Sequence, residues 1–286
     1  MCEVKPADFE DMSAALRYDP DATAILQENL DNIDSAPLDD IEWLLRIRAD
    51  PNTCSQTSGV QLLGSICLCY QNLTPGAPNG DDILRLFRDL LARTDIAVNI
   101  PDKKGHLPIH YAAQMKDPRF LHSLLTQSST ARLNVDKVGF GRTALHLACS
   151  SEAPIQSIKY LLEAGANPNA HSVSRKYVPF QFALYSYSHT RDSERLEDAL
   201  RELLEYGADP NAQNSLNETL LHAAIYAGCS SHVCMTLIQH RANLNAVDAS
   251  DNTPMQTAVA VGNNGAIFAI QRWYKEYGYG KNARAG

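Results

Sequence analysis

"TALHLACSSEAPIQSIKYLLEAGANPNA" occupies residues 143–170. It opens on a threonine before an apolar run, so the Thr143 hydroxyl can satisfy free N–H groups at a helix start. A second helical run carries the apolar pair Leu161–Leu162. Gly165 then supplies a left-handed position that closes a helix. Asn167-Pro168-Asn169 follows as turn chemistry. One such unit cannot bury both faces of its two helices, so it needs neighbours of the same kind.

Those neighbours are present. "YLLEAGANPNA" (160–170) is matched by "ELLEYGADPNA" (202–212), "TLIQHRANLNA" (236–246) and "WLLRIRADPN" (43–52). "TALHLAC" (143–149) is matched by "LPIHYAA" (107–113), "TLLHAAI" (219–225) and "TPMQTAV" (253–259). "VQLLGSI" (60–66) and "VPFQFAL" (178–184) fall in the same phase with weaker matches. The second set starts at 60, 107, 143, 178, 219 and 253, giving intervals of 47, 36, 35, 41 and 34. Pro108, Pro179 and Pro254 fall in first turns, where a missing N–H costs little. Ala112–Ala113 and Ala223–Ala224 let helices approach closely. Leu44–Leu45, Leu90–Leu91, Leu124–Leu125, Leu203–Leu204 and Leu237–Ile238 repeat the second-helix pair.

These motifs, recurring in fixed order over residues 36–275, resemble the ankyrin repeat family, with its unit of about 33 residues and T-P-L-H-x-A signature. The resemblance implies an all-α solenoid of stacked helix–turn–helix units with hairpin-like tips. It also implies a structural role for the signature histidines His110, His146 and His222, tying units together near the turns.

The longest intervals mark insertions. "NLTPGAPNGDD" (72–82) reads as a loop within its unit. In "YVPFQFALYSYSHTRDSERLED" (177–198) the first helix is read as Pro179–Tyr187 and the second as Arg195–Tyr206, leaving Ser188–Glu194 as an enlarged loop. "TQSSTARLNV" (126–135) replaces the usual turn after Leu125. Residues 1–35 read as an acidic helical cap or degenerate first repeat, residues 36–277 as the repeat domain, and residues 278–286 as a flexible tail.

Composition bounds the function. The chain has 286 residues, 44% hydrophobic and 20% charged, which is ordinary globular composition. Of its net charge of −8, seven units lie in residues 1–35. Such a balance argues against sequence-independent nucleic-acid binding, which needs a basic surface. Seven cysteines, an odd number without framework spacing, point to reduced thiols and a cytoplasmic or nuclear setting. The N-terminal "MCEVKPADFEDM" has no basic region and no apolar stretch, so no signal peptide is expected. No apolar run approaches the roughly 20 residues that span a bilayer.

Catalytic motifs are absent from the sequence: it has no G-x-x-x-x-G-K-[ST], G-x-S-x-G or H-E-x-x-H. The three signature histidines are about one repeat apart, too dispersed for a metal site. Cys67-x-Cys69 and Cys229-x4-Cys234 lack partners at zinc spacing. No cofactor, metal or enzymatic activity is expected.

What remains is a surface. The resemblance implies protein binding on the concave face, formed by hairpin tips and first helices. Carried over position by position, tip candidates are Lys103, Lys104, His106, Phe140, Arg142, Arg175, Tyr177 and Leu216. Met115, Tyr185 and Tyr226 follow the small pair on first helices. Tyr, Arg and exposed Phe are frequent interface anchors. The expected function is a non-enzymatic adaptor, scaffold or inhibitor, monomeric apart from a protein or peptide partner. A ubiquitin-ligase substrate receptor and a host-directed effector acting by binding are the alternatives. The family resemblance further marks Asn99 and Asn169 for asparaginyl hydroxylation, since Leu91 and Leu161 stand eight residues before them.

Overall fold

The computed structural model describes residues 18–31, 38–46, 48–72, 74–76, 79–127 and 133–278. The segment 1–17, most of the 278–286 tail and much of the irregular 126–135 stretch lie outside these residues. Fourteen helices follow one another among the described residues, with no strand and only two isolated bridges, Cys54 to Gln61 and Gly139 to Arg142.

The helices come in pairs: α1 (Pro20–Asp31) with α2 (Leu38–Arg46), α3 (Leu62–Cys69) with α4 (Gly80–Leu91), and α5 (Pro108–Ala112) with α6 (Pro118–Gln127). Then come α7 (Ala144–Ser150) with α8 (Ile155–Glu163), α9 (Pro179–Thr190) with α10 (Ser193–Glu205), and α11 (Leu220–Tyr226) with α12 (Ser231–Gln239). The last pair is α13 (Pro254–Val261) with α14 (Asn264–Tyr277). First helices α3, α5, α7, α9, α11 and α13 pack in one row. Second helices α4, α6, α8 and α10 form another, with α12 against α14. This is the stacked all-α solenoid the repeat implies.

Local chemistry sets each helix start. Thr143 Oγ1 accepts from the His146 N–H, and His146 Nδ1 accepts from the Thr143 N–H at 3.2 Å. Two orphan donors are satisfied reciprocally, as in a capping box. Leu107 N–H and Thr219 N–H donate in the same way to His110 Nδ1 and His222 Nδ1. The first weak signature is displaced by one residue from the expected frame: Gln61, not Val60, precedes α3.

Between the rows lies a continuous core. Leu62, Leu63, Leu90, Phe87, Phe120, Leu121, Leu145, Leu161, Leu203 and Leu237 are fully buried, along with Ala112 and Ala224 of the small pairs. Each buried Leu or Phe contributes roughly 1.5–3 kcal/mol. Phe87 and Phe120 meet across α4 and α6 with ring centroids 5.2 Å apart.

Polar ties join unit to unit along three lines. At the tips, the N–H groups of Lys103, Phe140, Val173, Ser215 and Ala249 each donate to a carbonyl of the preceding tip, at 2.8–3.3 Å. At the first helices, His110 Nε2, His146 Nε2 and His222 Nε2 donate to the carbonyls of Lys137, Tyr177 and Asn252. Because each Nδ1 accepts a backbone N–H, the proton sits on Nε2, which is therefore the donor. At the far turns, Asn52, Asn169 and Asn211 each donate to one backbone carbonyl and accept one backbone N–H from the next unit.

The enlarged loop expected at 188–194 is not there. Helix α9 runs on to Thr190, Arg191 takes a left-handed conformation, and α10 starts at Ser193 behind the N-cap Asp192. The extra residues lengthen α9 by about a turn relative to α7 and α11. Ser188 Oγ and Thr190 Oγ1 donate to the carbonyls of Tyr185 and Ser186, and the His189 ring also reaches the Tyr185 carbonyl. Arg191 stacks over the Tyr187 ring and donates to the Ala227 carbonyl of the next unit. On the second helix of the same pair, Arg195 spans units too, donating to the carbonyls of Ala148, Ser151 and Ala153 at the end of α7.

Candidate protein-interaction surface

The tip hairpins are rigid and turn selected side chains outward. Asp102 Oδ1 accepts the N–H groups of Lys104 and His106, Asn214 Oδ1 those of Leu216 and Glu218, and Asp248 Oδ1 those of Ser250 and Asn252. Such side-chain-to-backbone bonds fix a turn. Phe140 and Arg175 adopt positive φ angles of 45° and 58°. A bulky residue held there is strained, and strain of this kind concentrates at functional sites.

Phe140, Tyr185, Leu216 and Tyr226 are exposed at 74%, 65%, 45% and 49%. Tyr185 and Tyr226 occupy the same position on successive first helices, seven residues after the N-caps Val178 and Thr219. Tyr185 stacks against His189 at 4.6 Å, on the added turn of α9. Tyr226 donates its hydroxyl to Asp248 of the next hairpin at 3.3 Å, which orients its ring.

Other expected site residues are already engaged. Lys103 is exposed but donates its Nζ to the carbonyls of Gln56 and Thr57, so it braces the preceding hairpin. Lys104 is exposed at the tip, and its carbonyl receives the Phe140 N–H. His106 is half-buried and supports Phe140 at a ring distance of 6.3 Å. Burial pulls its pKa down against the opposing pull of Asp102. Met115 does not belong to the surface: its side chain is fully buried. Helix α5 ends at Ala112, so Gln114 and Met115 lie in the turn beyond it, and that turn carries Met115 into the core. Asn99 accepts the N–H of Asn134, and both ends of the Asn169 amide bridge to the next unit.

Five expected residues converge. Phe140 and Arg142 from one tip, Arg175 and Tyr177 from the next, and Tyr185 on α9 line a cavity of about 610 Å³. Gln181 and Phe182 complete its inner wall, with Ser150, Ser172 and Ser174 at its edges. The Arg142 guanidinium lies 4.7 Å over the Phe182 ring, a cation–π contact. Phe182 in turn meets the rings of His146 and Tyr177 edge-on. Arg175 donates to the Tyr177 hydroxyl at 3.4 Å. Neither Gln181 nor Phe182 is among the surface residues that the sequence pattern singles out.

The buried thiols of Cys67, Cys149, Cys229 and Cys234 are free, and burial pushes the last three up to about 12. Among the described residues no three His, Cys, Asp or Glu side chains cluster as metal ligands, and no helix is long and apolar enough to cross a membrane.

Comparison with known proteins gives the same architecture. A family model described as "Ankyrin repeats (3 copies)" matches residues 77–172 and 191–271. The B-cell lymphoma 3 protein homolog of Mus musculus is 27% identical over 158 residues, 55% of this chain and 33% of that protein. Ankyrin repeat and SOCS box protein 3 of Homo sapiens is 34% identical over 97 residues, 34% of this chain and 18% of that protein. The chain thus spans a third or less of the length of these curated relatives. The solved ankyrin repeat domain of Bcl-3 superimposes with a TM-score of 0.64 at 19% identity, covering 86% of this chain and 97% of that one.

Proposed function

Because the chain belongs to the ankyrin repeat family, we propose that it is a non-enzymatic protein-interaction module, an adaptor, scaffold or inhibitor. It binds a protein or peptide partner on the concave face made by hairpin tips and first helices. The observation that carries this reading is the set of aromatic and apolar side chains, Phe140, Tyr185, Leu216 and Tyr226, exposed on tips and first helices of successive units. They stand on elements cross-tied by backbone hydrogen bonds, so little side-chain and loop entropy is left to lose on binding. Buried, protonated thiols fit a reducing compartment, cytoplasm or nucleus. The chain works as a monomer until the partner engages.

The test is affinity capture with the wild type beside a Tyr185→Ala/Tyr226→Ala double variant, both checked for fold by circular dichroism. Proteins retained by the wild type and lost from the folded variant are the expected outcome. Unchanged recovery by the variant sinks the proposal.

A further inference from the structure

The cavity between the 139–142 and 172–177 tips has a chemistry that selects its occupant. Two guanidiniums, Arg142 and Arg175, border it, and no carboxylate does. Neither forms an ion pair with a described residue. Both are held in place: Arg142 by stacking on Phe182 and Arg175 by the Tyr177 hydroxyl. A guanidinium oriented in this way presents paired donors matched to a carboxylate.

Gln181 adds a third donor. It replaces the signature histidine, is only 6% exposed, and accepts the Val178 N–H on Oε1 at 3.0 Å. That bond fixes the amide orientation, leaving Nε2 as a donor with no hydrogen-bond partner among the described residues. In the neighbouring units His146 Nε2 and His222 Nε2 spend the equivalent donor on the carbonyl just before the next N-cap. A buried unpaired donor is unusual enough to need a reason.

The remaining walls are the rings of Phe140, Tyr177, Phe182 and Tyr185, and the exposed apolar side chains continue past the cavity to Leu216 and Tyr226. At about 610 Å³ the space suits a few side chains rather than a folded surface. Resting on the interaction reading above, we propose that this cavity binds an extended acidic peptide, with an Asp or Glu carboxylate between Arg142 and Arg175 and a neighbouring apolar side chain among the rings. The Gln181 amide donates to the same anionic group or to its backbone carbonyl.

Fluorescence anisotropy tests this with short fluorescein-labelled peptides that carry Asp or Glu beside Phe or Leu, against the same peptides with Asn or Gln. The acidic set is expected to bind the full chain and to weaken with added salt. The amide set, and the Arg142→Gln/Arg175→Gln variant, should each lose at least about tenfold in affinity. Gln181→His, which redirects the donor to the next hairpin, should weaken binding while leaving the chain folded. The proposal is overturned if no acidic peptide binds, if acid and amide peptides bind alike, or if the double arginine variant binds unchanged. Natural partners lost by the Tyr185→Ala/Tyr226→Ala variant but kept by the double arginine variant would also overturn it, while leaving the broader interaction reading in place.

Discussion

His146 Nε2 lies 3.0 Å from the carbonyl oxygen of Tyr177, so one imidazole closes its own helix start and holds the hairpin of the following unit. Truncating it leaves the buried Thr143 N–H and the Tyr177 carbonyl without those partners and removes the ring that Phe182 packs on. His146→Ala is expected to lower stability by roughly 2–4 kcal/mol. Urea unfolding followed by circular dichroism checks the loss. A midpoint within error of the wild type would show that the tie is dispensable.

The same histidines make stability depend on pH. Burial, the largest cause, holds His110 and His146 down at about 4, against an ordinary value of 6.5. Between those values the unfolded chain binds protons that the folded chain refuses. Stability is therefore full above about pH 6.5, falls as the pH drops through the window, and levels off below about 4. Each histidine should cost up to roughly 2 kcal/mol at pH 5. Urea midpoints measured at pH 7 and pH 5 should move down accordingly.

Two glycines separate backbone strain from steric contact. Gly165 has φ +87° with open space where a Cβ would sit, so Gly165→Ala should cost only the left-handed penalty, roughly 1 kcal/mol. A Cβ on Gly139 would come within 2.9 Å of the Gly105 carbonyl oxygen and the His106 Cα. Gly139→Ala must force two tips apart and should cost more, roughly 2–3 kcal/mol. Thermal unfolding of the two variants side by side ranks them; the reverse order would refute the tip contact.

Arg195 reaches back a whole unit to the carbonyls that end α7, and burial lowers its pKa. Arg195→Met keeps the stem but strands those acceptors, so a loss of roughly 2–3 kcal/mol is expected. Hydrogen exchange should localise the effect to the end of α7 and the start of α10. A uniform change along the chain would contradict that.

Replacing Gln181 by His should do the opposite. The ring can donate to the Glu218 carbonyl, the counterpart of Tyr177 and Asn252, and complete the missing tie. A gain of roughly 1 kcal/mol, a few degrees in melting temperature, is expected by calorimetry.

Much of this was legible in the sequence because it is repeated chemistry. Thr143, His146, the alanine pair and the Gly165 turn belong to motifs that recur in a fixed order, and each encodes a local geometry that the fold retains. The departures come from places where a neighbour overrides local preference. "SHT" (188–190) reads as loop material, yet the Ser188, His189 and Thr190 side chains bond back to carbonyls of the same helix and extend α9. Met115 sits in a phase that suggests surface, but α5 stops at Ala112 and the turn reverses it. The surface residues were recognisable one at a time by type. Their convergence was not, because Arg142 and Arg175 meet one cavity only through the stacking of separate tips. The idle donor on Gln181 is visible only once its acceptor geometry is known.

The row of tip bonds has a mechanical side. Every rung carries one backbone hydrogen bond, and all of these run in the same sense, from a later tip to an earlier one. Such a row behaves as an elastic strip rather than as separate fingers. A ligand that pulls Phe140 forward stretches its bond to Lys104 and, through Gly141, the one from Val173. Load placed on one tip would thus be shared with its neighbours through these bonds, so the tips would answer a partner as a set rather than singly.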